Sequence, residues 1–360
     1  MSKNKAQRRL KEIEVSGTPY EMGFQYGSAC PEIMKMLDVT DQMFGGHEAA
    51  IAIADKYMPM YLPPTEVYAP EIVDEMKGIA AGVKVDFRDI FLLNITYEIS
   101  APLSMGCTSF AAMGEATNHG ELITGQNFDF LSMWEEIMIL LKMKPTQGPN
   151  VLAVAPAGAL GLFGFNSAGI SLNLNLLRNK DSLLPSGGVP SHVILRKVLS
   201  SENIGEAIGT IASAERKSAK NYLLASDQGD FVDVEVTRDD LDVHFPERGL
   251  LTHANCFETD RFKSTDLAPV NSPDSYIRSK RLAKLMREHE GSLTVDVMRE
   301  LLRDHNNYPD SICRHPNPRA PLPMQKIIKT LLSIISCPKD RKAYIALGNP
   351  CENEHMEYQL

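Results

Sequence analysis

The sequence lacks any long apolar run. No stretch of about 18 consecutive apolar residues occurs, the length that a membrane-spanning helix requires. The apolar segment IIKTLLSIISC (327–337) is short and contains Lys329. The charged segment at residues 1–15 also has no apolar core of the kind that a secretory signal needs. We therefore expect no transmembrane helix and a cytoplasmic protein.

Positive charge is also scarce. The 360 residues include 37 Lys and Arg against 46 Asp and Glu, a formal net charge of −9. Beyond the first dozen residues there is no long basic run. Nucleic acids and anionic membranes attract basic surfaces, so we expect neither as a partner. Hydrophobic residues make up 43%, which is enough for a sizeable core.

The cysteines form no CxxC pair. In a chain without an export signal, six cysteines are expected to be reduced thiols rather than disulfides. Cys313 and His315 come closest to the spacing of metal ligands, but no partner pair completes a zinc pattern. We therefore predict no metal site and no cofactor.

No internal repeat or low-complexity segment is present. Residues 20–100 are predicted to be mostly helical, with a break at LPPTEVYAPE (62–71). From Cys107 onward, short apolar or alternating segments separated by Gly, Asn or Pro predict strands. Between groups of strands, the spacing predicts helices at 189–200, 203–215, 275–290 and 294–305, the last capped by Thr294. This grouping favours α+β layers, with two sheets stacked between helical layers.

Cys107 directly follows Gly106, and this pair is a candidate for self-cleavage of the backbone. Glycine has no Cβ, so its carbonyl can be approached closely by the next side chain. Attack by the Cys107 thiol would shift the acyl group from nitrogen to sulfur, and hydrolysis would leave Cys107 as a new N-terminus. Its free α-amine, with a pKa of about 7.7–8.0, suits a general base at neutral pH. The plain alternative is that Cys107 is a small buried hydrophobe.

Several polar residues in later strands would serve such a site. Asp129, in TGQNFDF (124–130), could hold the new amine, although the motif taken alone favours a polar turn after a strand. Asn173 and Asn175 lie two apart, so in a strand they share a face. Asparagine is depleted in strands, and its amide can stabilise an oxyanion or satisfy buried backbone in a bulge.

Two further stretches carry candidates. In LTHANCF (251–257), Asn255 is another oxyanion donor, and His253 is structural if the α-amine is the base. In YPDSICRHP (308–316), three roles are open for Arg314: a surface cation, a binding group for a substrate carboxylate, or a partner of a site acid.

Taken together, these stretches resemble the acyl-coenzyme A:6-aminopenicillanic acid acyltransferase family. Its members are N-terminal-nucleophile hydrolases and, through self-cleavage, also form a cysteine peptidase family. The similar segments follow the family's order over nearly the whole chain: GTPYEMGFQYG, GCTSFAA, TGQNFDF, GFNSAGISLNLNLL, THANCF, DSYIRSKRL (274–282), DSICRH and LGNPCENEHMEY.

The resemblance implies a four-layer αββα sandwich and autocatalytic cleavage between Gly106 and Cys107. It makes Cys107 the nucleophile of both cleavage and catalysis. It gives Asp129 the role of positioning the amine and thiol, Asn255 that of an oxyanion donor, and Arg314 a place in the substrate pocket.

Other implications of the resemblance are looser. Asn175 is carried over from the wider superfamily that includes bile-salt hydrolases, and Asn173 is an alternative to it. Phe128 stands where the fungal enzyme has tryptophan, and Cys256 stands where histidine is common. Both departures concern the lining of the substrate pocket, so they leave the substrate's identity open.

The predicted product is an N-terminal α fragment (1–106) and a β fragment (107–360) that stay associated as one structural domain. The mature enzyme is expected to cleave or form an amide bond of a small N-acyl substrate through a thioester on Cys107. No metal is required, and homo-oligomers remain possible.

Two alternatives remain open from the sequence. The first is a papain-like site of Cys107, His253 and Asn255 in an uncleaved chain. It is disfavoured because the papain-like cysteine begins a helix, whereas CTSFAAM is typical of a strand. The second is a binding protein with a vestigial site, which the intact Cys107, Asp129 and Asn255 argue against.

Overall fold

The computed structural model describes residues 6–99, 106–183, 186–320 and 323–360. Residues 1–5 and 100–105 of the predicted α fragment therefore lie outside the described residues. The helices are α1 (Pro19–Ala29), α2 (Glu32–Phe44), α3 (His47–Tyr68), α4 (Pro70–Val83), α5 (Phe87–Ile99), α6 (Ser191–Val198), α7 (Ile204–Ser213), α8 (Asp260–Lys263), α9 (Ala268–Asn271), α10 (Asp274–Glu288) and α11 (Val295–Leu301).

Within the described residues, the first strand precedes the helices, and the other thirteen lie after residue 105. They are β1 (Lys11–Gly17), β2 (Gly106–Gly114), β3 (Gly120–Leu131), β4 (Met138–Pro145), β5 (Val151–Pro156), β6 (Phe163–Asn166), β7 (Ile170–Leu176), β8 (Lys220–Ser226), β9 (Phe231–Val236), β10 (Leu241–His244), β11 (Leu250–His253), β12 (Ile328–Cys337), β13 (Lys342–Leu347) and β14 (Met356–Gln359).

The strands form two sheets. The larger has eight strands in the order β1-β4-β5-β6-β7-β8-β9-β10, and the smaller has six in the order β11-β2-β3-β12-β13-β14. Neighbours are antiparallel except for β1, which pairs parallel with β4. Strand β1 precedes all the helices and was not predicted from the sequence. It joins the N-terminal part of the chain to the larger sheet.

The two sheets face each other, with β2 and β3 packed against β7 and β8. Helices α1 and α7 contact the outer face of the larger sheet, and α10 and α11 contact the smaller one. Every residue of β5 is buried, as expected for a strand covered on both faces. The four-layer αββα sandwich of the α+β class, predicted from the sequence, is therefore confirmed.

The helix break predicted at 62–71 lies at Ala69, between α3 and α4. The proline pair within that stretch does not make the break, since α3 continues through Pro63 and Pro64 to Tyr68. Proline lacks an N–H, so Pro64 leaves the carbonyl of Met60 without its helical partner. The backbone N–H of Gly188 supplies that hydrogen bond at 3.2 Å. A contact from a distant segment, which the local sequence does not reveal, therefore keeps the helix intact.

The start of α11 agrees with the prediction from the sequence. The Thr294 hydroxyl accepts a hydrogen bond from the Val297 backbone N–H at 3.2 Å, which makes it the N-cap of α11, as predicted. No helix within the described ranges combines the length and the apolar character needed to cross a membrane.

Candidate active site

Cys107 is the second residue of β2, and an asparagine side chain holds its backbone. Strand β11 pairs with β2 only as far as His253, which lies opposite Ser109. Beyond that point the Asn255 side chain replaces the β11 backbone as the hydrogen-bond partner of β2. The Cys107 N–H donates to the Asn255 Oδ1 at 2.7 Å. The Asn255 Nδ2 donates to the Leu176 carbonyl at 2.9 Å. The nitrogen that self-cleavage would free is therefore already bound by a buried side chain.

Arg278 of α10 binds the carbonyl group of Cys107, whereas Asn255 binds its N–H. Its Nη1 donates to the Cys107 carbonyl at 2.6 Å and to the Thr108 hydroxyl at 2.8 Å. Its Nη2 donates to Asn255 Oδ1 at 3.0 Å, and its Nε donates to Asp274 at 2.9 Å. Sequence reasoning gave Arg278 no role. The available signal was the helical i,i+4 spacing of Asp274 and Arg278 within DSYIRSKRL.

Asp129 lies beside the predicted cleavage site because β2 and β3 pair Gly106 with Asp129. The Thr330 hydroxyl donates to Asp129 Oδ1 at 2.7 Å. A Cβ added to Gly106 would lie only 2.7 Å from Asp129 Oδ2 and 3.2 Å from Arg314 Nε. The absence of a side chain at Gly106 is thus what allows the carboxylate to approach the backbone at this point.

Arg314 is a partner of acids, which is one of the three roles that the sequence left open. Its Nε lies 3.3 Å from Asp129 Oδ2, its Nη1 donates to Asp310 at 2.9 Å, and its Nη2 pairs with Asp274. It also lines a cleft of about 630 Å³ together with Asp274, Asp310 and Arg319. That volume lies within the usual range for small-ligand sites.

Burial sets the protonation of the two reactive groups. It raises the pKa of the Cys107 thiol to about 12, and the negative charge of Asp129 adds to that effect. Burial also raises the pKa of Asp129 to about 6, although Arg314 and Arg278 oppose it. At neutral pH the thiol is protonated and the carboxylate is charged. Attack by this thiol in the intact chain would therefore need a base, and the Asp129 carboxylate lies beside the preceding residue, Gly106.

The two asparagines of β7 share a face, as their spacing predicted, and that face points to the other sheet. The Ser109 hydroxyl donates to Asn175 Oδ1 at 2.6 Å, and Ser109 lies two residues after Cys107 on the same face of β2. The Asn175 Nδ2 is buried and finds no acceptor among the described residues. Asn173 instead donates to the Thr124 hydroxyl at 2.7 Å. Asn175 therefore retains a free donor near β2, the strand of Cys107, and Asn173 uses one of its donors on Thr124.

His253 is bound to other partners. Its Nε2 lies 2.7 Å from Glu235 Oε1, and its Nδ1 lies 2.7 Å from the Ala254 carbonyl. Burial would lower the pKa of His253, but the hydrogen bond to Glu235 and the charges of Asp233 and Glu235 raise it to about 9. An imidazole that is protonated at neutral pH and bound at both nitrogens cannot serve Cys107 as a base.

Phe128 lies opposite Cys107 in the β2–β3 pair and is buried. Its ring packs against Phe163, with 5.6 Å between the ring centroids, and against Phe130 at 6.1 Å. These rings form an apolar surface beside Cys107.

A second group of reactive side chains lies next to Arg314 in the chain. The donor atoms of His305, Cys313, His315 and Cys351 all lie within 4.8 Å of one another. The sequence analysis found no partner pair for Cys313 and His315. In the fold, His305 and Cys351 form such a pair beside Cys313 and His315.

Comparison with known proteins identifies the family. The profile of "Acyl-coenzyme A:6-aminopenicillanic acid acyl-transferase" matches residues 116–352. An acyl-coenzyme A:6-aminopenicillanic-acid-acyltransferase 40 kDa form from Emericella nidulans is 30% identical over 348 residues, which span 95% of this chain and 93% of that protein. The chain belongs to the acyl-coenzyme A:6-aminopenicillanic acid acyl-transferase family. As a member it is an enzyme of the amide-bond hydrolase and acyltransferase class, as predicted.

More distant relatives of this acyl-transferase family member are also found. A beta-alanyl-dopamine/carcinine hydrolase from Drosophila melanogaster is 24% identical over 249 residues, covering 59% of this chain and 61% of that protein. Among solved structures, a mutant conjugated bile acid hydrolase from Clostridium perfringens is 14% identical with a TM-score of 0.47. The match covers 71% of this chain and 97% of that one.

Proposed function

We propose that this chain is a self-processing N-terminal-nucleophile enzyme in which Cys107 first cleaves its own backbone and then hydrolyses small N-acyl compounds. The observation that carries the proposal is the hydrogen bond of 2.7 Å from the Cys107 backbone nitrogen to Asn255 Oδ1. An ordinary strand residue would give this N–H to a neighbouring strand. Here a side chain binds it, and that same atom becomes the α-amine after cleavage.

The cleavage step uses groups of the paired strands β2 and β3, in which Gly106 lies opposite Asp129. The Cys107 thiol attacks the Gly106 carbonyl carbon, and Asp129 accepts the thiol proton. The bond between the Gly106 carbonyl carbon and the Cys107 nitrogen breaks, and that nitrogen takes up the proton. The resulting thioester joins the Gly106 carbonyl to the Cys107 sulfur. Water hydrolyses it, which frees the carboxylate of Gly106 and restores the thiol.

The mature enzyme repeats this chemistry on an external amide. The α-amine of Cys107 now serves as the base, since its pKa near 8 suits proton transfer at neutral pH. Asn255 Oδ1 holds that amine, and Arg278 holds Asn255 in turn. Asn175 supplies its free Nδ2 donor to the oxyanion, a contact of the kind that contributes about 3 kcal/mol in measured cases. The second hydrogen of Asn255 Nδ2 remains the other candidate donor.

The substrate is a small amide with a polar or charged group. The cleft beside Arg314 is of ligand size, but neither Cys107 nor Phe128 lines it; Phe128 adds apolar surface next to Cys107 itself. The Drosophila relative is named as a hydrolase of beta-alanyl-dopamine and carcinine, which supports water as the acyl acceptor. The Emericella relative is named as an acyltransferase, so an amine acceptor is the second outcome to test.

The deciding measurement is the intact mass of the denatured protein. Residues 1–106 of a 39.9 kDa chain correspond to about 12 kDa, and residues 107–360 to about 28 kDa. We expect these two species from the wild type and a single full-length species from Cys107→Ala. Cys337→Ser is the matched control, because Cys337 lies at the end of β12 and should leave cleavage unchanged.

Edman sequencing of the larger fragment should begin at Cys107. A single full-length species from the wild type under all conditions would contradict self-processing. Once cleavage is established, a panel of N-acyl amines and N-acyl amino acids, assayed with and without an added amine, distinguishes hydrolysis from acyl transfer.

A further inference from the structure

Four potential metal ligands converge at one point, and the proposed reaction uses none of them. His305 follows α11, Cys313 and His315 flank Arg314, and Cys351 lies between β13 and β14. The Cys313 Sγ is 3.5 Å from the Cys351 Sγ and 3.7 Å from His315 Nε2. The His315 Nε2 is also 3.4 Å from the Cys351 Sγ and 3.1 Å from His305 Nε2.

These separations match the edges of a zinc tetrahedron. With Zn–S bonds of about 2.3 Å and Zn–N bonds of 2.0–2.1 Å, the ligand atoms of a tetrahedral site lie about 3.3–3.8 Å apart. Four of the six separations run from 3.1 to 3.7 Å, and the two between His305 and the cysteine sulfurs are within 4.8 Å. One atom at the centre would therefore reach all four donors with only small movements of the side chains.

We propose that His305, Cys313, His315 and Cys351 bind one zinc ion in a closed tetrahedral site. Thiolate and imidazole together are the ligand set that zinc prefers, and two thiolates balance the charge of the dication. Four protein ligands leave no open position for water or substrate, so the ion is structural rather than catalytic.

The surroundings of the cluster support a metal site. Asn349 Nδ2 lies 3.5 Å from the Cys313 Sγ and donates to it, as outer hydrogen bonds to metal thiolates commonly do. The ring of Tyr308 packs against both histidines, with centroids 6.0 Å from His305 and 5.4 Å from His315. A disulfide between the cysteines would require sulfurs about 2 Å apart and would give the two histidines no role.

The position of the cluster gives the ion a consequence for the active site. Arg314 stands between the ligands Cys313 and His315 and pairs with Asp129 and Asp274. A bound zinc would tie the segment 305–315 to the turn at Cys351. It would thereby fix the backbone that presents Arg314, although the metal site itself does not depend on the proposed reaction.

The test is the metal content of the full chain. The protein is produced without a metal-binding tag in zinc-supplemented medium, desalted, and analysed by elemental mass spectrometry. We expect about one zinc per chain in the wild type. Cys351→Ser and His305→Ala should each lower it at least tenfold. His305 is exposed, so its variant is expected to fold. Cys337→Ser and His119→Ala are the matched controls, and both should keep the ion.

Cobalt provides a second readout that needs no variant. Cobalt(II) added to the metal-free wild type should produce the intense charge-transfer and d–d bands of a tetrahedral site with two thiolates. Absence of stoichiometric zinc together with absence of these bands would overturn the proposal. Zinc that remains in both ligand variants would overturn it too, since the ion would then lie elsewhere. A wild-type mass lower by the two hydrogens of a Cys313–Cys351 disulfide, in metal-free protein that binds no cobalt, would likewise reject it.

Discussion

At the scale of single residues, the candidate site depends on one missing side chain. Asp129 Oδ2 occupies the space next to Gly106 that a Cβ would need. We expect Gly106→Ala to slow self-cleavage at least a hundredfold, because the added methyl would displace the carboxylate or the scissile peptide. Cleavage is followed by intact mass over time after synthesis.

The matched control is Gly209→Ala in α7. No atom lies within 4 Å of a Cβ added there, so this variant should cleave normally. It should also be slightly more stable, by about 0.5–1 kcal/mol, as alanine favours the helix. Normal cleavage of Gly106→Ala would show that Asp129 does not act through close contact at this position.

The pH dependence of cleavage should report Asp129. Its pKa is raised to about 6, so below pH 6 the carboxylate is protonated and cannot accept the thiol proton. We expect the cleavage rate of freshly translated chain to rise with pH and to level off above a midpoint near 6. Asp129→Asn should be slow at every pH and should lack this midpoint. A wild-type midpoint near 8 or above would instead point to the thiol as the titrating group.

His253 separates the proposed mechanism from the papain-like alternative. Both of its ring nitrogens are bound to groups other than Cys107, and Glu235 pairs with its charge. We expect His253→Gln to lower the free energy of unfolding by about 3 kcal/mol, because a buried ion pair is lost. Cleavage at 20 °C should nevertheless be complete. Loss of cleavage and of amidase activity in protein that is shown to be folded would favour the papain-like site.

At the scale of secondary-structure elements, four glycines set the distance between α1 and α4. A Cβ at Gly23 would lie 2.0 Å from the Glu75 carbonyl oxygen, and one at Gly78 would lie 2.2 Å from the Tyr20 carbonyl oxygen. Gly27 and Gly82 face backbone at the same separation of 2.2 Å. Because the obstacles are backbone atoms, no side-chain rotation can relieve these contacts.

We expect Gly78→Ala to lower the free energy of unfolding by about 2 kcal/mol or more, since the two helices would have to separate. The melting temperature of the cleavage-blocked Cys107→Ala chain is the measurement. Ala81→Ser, on the exposed side of the same helix, should change the free energy of unfolding by less than about 0.5 kcal/mol. Equal melting temperatures for the two variants would contradict the close packing.

The elements themselves could be predicted better than their contacts. Alternation of apolar and polar residues predicted the strands from Cys107 onward, and Thr294 predicted a helix start. The continuation of α3 through Pro63 and Pro64 could not be predicted. The missing hydrogen bond comes from the N–H of Gly188, which lies 124 residues after Pro64 in the chain. Local patterns describe a segment's own preferences, whereas this outcome depends on which distant segment packs against it.

The same distinction applies to the two sites. The residues of the candidate active site were identified from their motifs, but Arg278, which connects Cys107 to Asn255, was missed. The proposed metal ligands lie at 305, 313, 315 and 351, and only Cys313 and His315 have a short ligand spacing. Only the arrangement of β13 and the segment after α11 brings Cys351 to the histidines. A search of the sequence for ligand spacings therefore misses this cluster, because its members come together only in the folded chain.

At the scale of the whole molecule, self-cleavage should not separate the two fragments. Strand β1 of the N-terminal fragment pairs in parallel with β4 along seven residues, and α1 packs on the same strand pair. The largest buried cluster likewise combines residues from both sides of the cleavage point, such as Ile13 and Met76 with Leu140 and Val154. Dissociation would expose this apolar surface to water and leave the edge of β4 without a partner.

We therefore expect the cleaved protein to elute from a sizing column as one particle that contains both fragments, with a single cooperative unfolding transition. The fragments should separate only in guanidinium chloride. Cys107→Ala provides the uncleaved reference, and both proteins should have the same native elution volume. A small fragment that elutes alone in native buffer, or a separate early transition in the cleaved protein only, would show that the N-terminal part forms an independent unit. In that case the parallel pairing of β1 with β4 would contribute little to holding the molecule together.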